Sequence, residues 1–218
     1  MKTHYYLGWF NDFFPENLSR QLQKDITDRK LLVMISSNPL RDDADGAVER
    51  SWLEGAGIAF DEYQLIDYRV QKEDAQTLIQ KASVIFLLGG DTLKQNVFLA
   101  DYELAEWIKD SDAIVIGASA GSINMSSKWL CSRKFGYPVE TSSLYDGIGL
   151  DNFSVLSHFD LENNMELVQR ELSSLSEEMK VYASNKDCAV RTQGDQIDIL
   201  GTVYLISHGE IQKLEETF

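Results

Sequence analysis

Four brief apolar runs, Tyr5 to Phe10, Leu31 to Ile35, Val84 to Leu88 and Ala113 to Ile116, alternate along the chain with amphipathic stretches. Runs this short and this free of polar alternation read as strands buried on both faces. Between and beyond them, Leu18, Leu22 and Ile26 recur every four residues, and Ala44, Ala47, Val48 and Trp52 share one helical face. Leu161, Met165, Val168 and Leu172 form a third stripe. Strand followed by helix, repeated, predicts a doubly wound α/β fold: a mostly parallel sheet with helices on both faces. Beyond Val181 the pattern changes to short β-like pieces, Asp187 to Thr192, Gln196 to Leu200 and Thr202 to Ile206, separated by Gly194, Gly201 and Gly209. These predict a short antiparallel C-terminal extension. With 218 residues, 44% of them hydrophobic, the chain can build one sizeable core, so residues 1–218 read as a single domain.

Charge narrows the partners. Lys plus Arg is 20 and Asp plus Glu is 35, a net charge of -15 that repels nucleic acid and anionic membranes, and no basic run offsets it. The two cysteines, Cys131 and Cys188, have no metal-ligand or disulfide-framework spacing. Met1 to Leu7 lacks the apolar core of a signal peptide, and no stretch of about 18 apolar residues could span a bilayer. The expectation is a cytoplasmic protein, monomer or homodimer, with no nucleic-acid or membrane partner.

Ligands of open α/β sheets bind outside the carboxyl ends of the strands. Three such ends carry suggestive residues: Ser36-Ser37-Asn38, Gly89-Gly90-Asp91-Thr92, and Gly117-Ala118-Ser119-Ala120-Gly121. In the last, a buried strand runs into a serine flanked by nothing larger than alanine, and a helix follows. That is the pattern of a nucleophile elbow, in which positive φ and close chain approach forbid bulky neighbours. The following helix would direct free amides at the same spot. The string also fits a small-residue turn or a phosphate loop of the G-x-G-x-x-G kind, but no Gly-Lys-Ser/Thr follows to make a Walker loop.

A serine nucleophile needs a base, and the chain offers His4, His158 and His208. His158, in Ser157-His158-Phe159-Asp160, falls at a strand end and is preferred over His208; His4 precedes the first strand, at the opposite sheet edge. Gly90, with Gly89 as a further possibility, and the amide of Ala120 are the candidate oxyanion donors. Gly-Gly-Asp-Thr can equally be a turn in which Asp91 caps a helix. For the acid that orients the histidine, Asp187 is preferred over Asp160, which reads better as an N-cap.

At these residues the chain resembles the dipeptidase E and cyanophycinase family of serine peptidases, whose fold is similar to the class I glutamine amidotransferases. The resemblance rests on Leu88-Gly89-Gly90-Asp91-Thr92, Gly117-Ala118-Ser119-Ala120-Gly121-Ser122, and Ser157-His158-Phe159-Asp160 preceded by Gly147-Ile148-Gly149-Leu150. It implies attack by Ser119 on a peptide carbonyl, proton transfer by His158, and an oxyanion held by the Gly90 and Ala120 amides. The family's acid, often glutamate, aligns with Lys186, one residue before Asp187. The arginine that grips an acidic side chain in aspartyl dipeptidases aligns with Met165, with Arg170 the only arginine in that helix, so aspartyl specificity is not carried over.

The leading expectation is therefore a peptidase for short peptides that uses neither metal nor organic cofactor. An esterase or amidase built on the same elbow, and a noncatalytic small-ligand binder with an incomplete triad, are the alternatives. Trp129, Tyr137 and Tyr145 are candidate pocket residues, and the Ser132 to Tyr145 loop is a candidate cover.

Overall fold

A computed structural model describes residues 2–41, 46–158 and 170–218. Its first half runs β1 (Thr3–Leu7), α1 (Glu16–Asp25), β2 (Leu31–Ile35), α2 (Ala47–Gly55), β3 (Glu62–Ile66), α3 (Lys72–Lys81) and β4 (Val84–Leu87). There follow α4 (Thr92–Asp101), α5 (Leu104–Asp110), β5 (Ile114–Ala118), α6 (Ala120–Met125), β6 (Lys128–Cys131), β7 (Ser143–Asp146) and β8 (Ser154–Leu156). The described C-terminal part holds α7 (Ser173–Glu178), β9 (Val181–Ser184), β10 (Ala189–Gln193), β11 (Gln196–Leu200), β12 (Val203–Ser207) and β13 (Glu210–Lys213).

The main sheet has seven strands in the order β11-β10-β1-β5-β4-β2-β3. Pairing is parallel from β1 through β5, β4 and β2 to β3, and antiparallel where β10 meets β1 and β11 meets β10. Every residue of β1 is buried because successive side chains enter different cores. Tyr5 and Leu7 join Leu18 and Leu22 of α1 and Trp52 and Leu53 of α2, whereas Tyr6 joins Ile79, Phe98 and Ile108 of α3 to α5. That is the expected layer of helices on each face.

The register brings the strand ends level. Ile35 pairs with Leu87, Leu87 with Gly117, and Gly117 with Tyr6. The segments beginning at Ser36, Leu88 and Ser119 therefore leave the sheet side by side.

Three local readings differ from the pattern. Glu62–Ile66 carries no apolar run, yet it is a strand: at the sheet edge its residues alternate in exposure, and polar Glu62 and Gln64 can face water. Val48 is 49% exposed, since the face α2 buries is centred on Trp52 and Leu53. The C-terminal strands also divide. β10 and β11 extend the main sheet, while β12 and β13 complete a second sheet of order β13-β12-β9-β8, in which β8 and β9 are parallel. β6 and β7 form a separate antiparallel pair. Ala44, Leu161, Met165 and Val168 lie outside the described residues.

The antiparallel extension is held to the rest by a buried charge cluster. Arg191 of β10 is 3% exposed; its Nε donates to Asp25 Oδ2 at 2.6 Å and its Nη1 to Asp198 Oδ2 at 2.8 Å. Tyr5 of β1 donates to the same Asp25 oxygen at 2.6 Å, joining β1, the end of α1, β10 and β11. Removing one member leaves the others charged in a low-dielectric setting. Arg191→Ala is expected to lower stability by about 3 kcal/mol, read from urea unfolding, and an unchanged midpoint would show that the cluster is inert.

Candidate active site

Ser119 stands at φ 47° and ψ −104°, between β5 and α6. A residue with a Cβ avoids this region unless its surroundings impose it. Here they do so from both neighbouring strands. The Ser119 amide donates to the carbonyl of Leu7 at 2.9 Å, and the Ser122 hydroxyl reaches the same oxygen at 2.8 Å. On the other side the chain presses against β4 so closely that a Cβ on Gly121 would sit 2.1 Å from the Leu87 carbonyl oxygen. All six residues of α6 are buried.

The imidazole arrives from the second sheet. His158, two residues past β8 and itself at φ 60°, places Nε2 2.8 Å from Ser119 Oγ. Burial first, and the charge of Lys186 second, hold its pKa below the ordinary histidine value. The ring is thus neutral at neutral pH, free to accept the serine proton. The other histidines lie elsewhere. His4 binds Asp151 at 2.8 Å near the start of β1, and exposed His208 binds Glu177 at 3.1 Å.

Asp187 makes no hydrogen bond to His158. Among the described residues no carboxylate hydrogen-bonds His158; the Asp187 amide donates to the Trp9 carbonyl at 3.1 Å, and Lys186 forms a parallel bridge with Trp9. The charge that does act on the ring is the cation of Lys186, opposite in sign to a triad acid. Asp160 and Met165 lie outside the described residues.

Of the candidate oxyanion donors, Gly89 is already engaged: its amide donates to the buried carboxylate of Glu49 at 3.0 Å. Gly90 has φ 136°, and a Cβ there would lie 2.3 Å from Ser37 Oγ, so the backbone itself faces the cleft. Among the described residues the Gly90 and Ala120 amides donate to no protein acceptor. Asp91 does cap α4, accepting from the Lys94 amide at 3.0 Å, and lines the cleft as well. Glu49 was missed by the sequence reading, although it falls three positions before Trp52, on the helical face that is buried.

The cleft is a cavity of about 420 Å³ between Asn38, Gly90 to Thr92, Ser119 and His158 on one side and Phe135 to Pro138 on the other. Tyr137 therefore lines it. Trp129 and Tyr145 stack on each other at 4.9 Å, and neither lines the cavity. The Phe135 to Pro138 wall belongs to the loop joining β6 and β7, within the Ser132 to Tyr145 stretch named as a candidate cover. Among the described residues no group of three or more His, Cys, Asp or Glu could hold a metal ion, and no helix is long and apolar enough to cross a membrane. Cys131 and Cys188 are buried free thiols.

The molecule is thus an α/β protein whose serine and histidine meet at the carboxyl edge of a mostly parallel sheet. The chain belongs to Peptidase family S51, whose model matches residues 46–200. A cyanophycinase from Geminocystis herdmanii (strain PCC 6308) is 28% identical over 142 residues, 61% of this chain and 52% of that protein. The chain spans about half the length of that curated relative. The fold is shared with the crystal structure of a peptidase from an acI-B1 Actinobacterium, at a TM-score of 0.69 and 16% identity over 99% of this chain and 95% of the other. It is shared too with a Listeria monocytogenes EGD-e protein described as a peptidase E, at a TM-score of 0.64 and 18% identity over 92% and 98%.

Two measurements follow from this geometry. NMR titration of His158 should give a midpoint below the ordinary value of about 6.5, and Lys186→Met should move it upward, because removing a cation relieves its repulsion of imidazolium. A midpoint unmoved by that substitution would remove Lys186 from the electrostatics of the site. Gly121→Ala should destabilise the fold by about 1–3 kcal/mol through overpacking against the Leu87 backbone, read by thermal melting; a melting point equal to wild type would mean the elbow relaxes freely.

Proposed function

We propose that the protein is a serine-type peptidase that hydrolyses short peptides, with Ser119 as nucleophile and His158 as base. The observation that carries this reading is the 2.8 Å approach of His158 Nε2 to a serine hydroxyl held at φ 47° on a strand-to-helix turn. Membership of a peptidase family supports the choice of a peptide carbonyl over other acyl substrates.

The steps follow from the placement of groups. Ser119 Oγ attacks the carbonyl carbon as His158 Nε2 removes its proton, and the negative charge gathering on the carbonyl oxygen falls between the uncommitted amides of Gly90 and Ala120. Imidazolium then protonates the leaving amine. Water, deprotonated by the same nitrogen, releases the acyl group and restores the serine. Among the described residues the working unit is a serine–histidine pair with no carboxylate hydrogen-bonded to the ring and the cation of Lys186 near it. That departure also favours a second reading, a homologue that binds small ligands at this edge and turns them over slowly or not at all, since nothing described offsets the imidazolium charge formed during attack.

The pair of readings separates on kinetics. Mass-spectrometric screening of a dipeptide and tripeptide library should find hydrolysis by wild type, with Ser119→Ala and His158→Ala each reducing kcat/KM by about 10²–10⁴-fold. Equal loss from His208→Ala with none from His158→Ala would reassign the base. Absence of any hydrolysis by wild type would leave the binding reading.

A further inference from the structure

The loop that walls the cavity is tied down at one carboxylate. Glu171 Oε1 accepts from Lys134 Nζ at 2.6 Å, and Glu171 Oε2 lies 3.1 Å from both Ser132 Oγ and Ser142 Oγ. The two serine hydroxyls are themselves 2.9 Å apart. Ser132 opens the segment between β6 and β7 and Ser142, ten positions on, closes it, so one side chain grips both ends of the loop and a lysine within it. The carboxylate is itself well placed to hold, with its side chain 14% exposed and its neighbour Leu172 buried beside α7. The Lys134 contact first, then the serine hydroxyls against a desolvation cost, keep its carboxyl below the usual range, so the latch stays ionised.

Inside the loop the chain folds back on Ser132, whose carbonyl accepts from the Phe135 amide at 2.9 Å and the Tyr137 amide at 3.4 Å. This turn sets Phe135 and Tyr137 over the cleft. The Tyr137 hydroxyl then reaches Thr92 Oγ1 on the facing wall at 3.4 Å, so the loop crosses from one side of the cavity to the other. Beneath it the space of about 420 Å³ is at the small end of ligand pockets, roughly 300–1,000 Å³. An extended peptide advances about 3.3 Å per residue and soon meets this wall.

We propose that Glu171 is a specificity-determining residue: by latching the 132–142 loop across the cleft it restricts access to Ser119 to small acyl substrates. Glu171 touches no reacting atom; it acts through the loop. The inference rests on the reading of Ser119 as nucleophile, and the experiment separates the two.

Two readouts serve. One is the ratio of labelling rates of Ser119 by a small and by a bulky fluorophosphonate; the other is tryptic cleavage after Arg133 or Lys134 in the folded protein, followed by mass spectrometry. Loss of a charge-assisted latch should favour the open loop by about tenfold or more. Glu171→Ala should therefore raise the bulky-to-small labelling ratio and the cleavage rate by that order, with Glu171→Gln between it and wild type. Ser142→Ala, a milder change, gives the same direction should Glu171→Ala fail to fold. Labelling whose size preference is unaltered in the variants overturns the inference. If Ser119 labels in neither wild type nor variant, the nucleophile reading falls; tryptic cleavage then decides the latch alone, acceleration upholding it and an unchanged rate overturning it.

Discussion

The left-handed backbone of Ser119 is the constraint on which the site depends. A side-chain-bearing residue held there costs about 1–3 kcal/mol, and the conformation persists because both neighbouring strands enforce it. The Leu7 carbonyl receives the Ser119 amide and the Ser122 hydroxyl, while the Leu87 carbonyl leaves no room for a Cβ at Gly121. One arrangement thereby has three effects. The hydroxyl turns out of the sheet, the chain continues as α6, and the Ala120 amide, first in that helix, is left without an intrahelical acceptor. Strain, presentation of the serine at the cleft and an unpaired amide at the start of the helix are not separate features of this turn.

Among the described residues, the charge that acts on the histidine is opposite in sign to that of a triad acid. A carboxylate behind the ring would stabilise imidazolium; burial and Lys186 both destabilise it. The neutral ring is favoured over a wider pH range, which keeps the base available, while each proton it takes up is held less firmly. A weakly held proton is readily passed to a leaving amine but is harder to acquire from serine. In the proposed mechanism the balance shifts the demand for charge stabilisation from the histidine to the amides of Gly90 and Ala120.

Much of this was legible in the sequence because the features concerned are local. Buried parallel strands read as unbroken apolar runs, and small residues around Ser119 mark a turn that tolerates nothing else. His158 could be placed because it follows a strand. What the sequence did not disclose depends on chain segments meeting from a distance. β3 lacks an apolar run because one face of it meets water, and the division of the C-terminal strands between two sheets leaves no trace in their alternation. Glu49, whose carboxylate takes the Gly89 amide, and Glu171, which grips two serines more than two dozen positions away, are ordinary helical glutamates until the tertiary structure supplies their partners. Asp187 illustrates the converse: it stands one position from the lysine whose charge reaches the ring, yet it makes no hydrogen bond to His158.

Ser119 and His158 follow strands of different sheets, so their separation is set by how the sheets pack and not by either strand alone. Tyr6 of β1 meets Phe153 at 4.8 Å, and Phe153 meets Tyr182 of β9 at 4.8 Å, forming an aromatic bridge from one sheet to the other beside α6. Asp151, just before β8, is drawn to the main sheet by three donors, Tyr6 at 2.6 Å, His4 at 2.8 Å and Thr192 at 2.9 Å. His4, too far from the serine to serve as base, thus helps fix the strand that delivers the histidine that does meet it. Positioning errors of about 1 Å can cost roughly 10²-fold in rate, and a bridge of packed rings and a triply bound carboxylate is stiff on that scale. The precision of the Ser119–His158 contact is therefore a property of the seam between the sheets, built largely from residues that never approach a substrate.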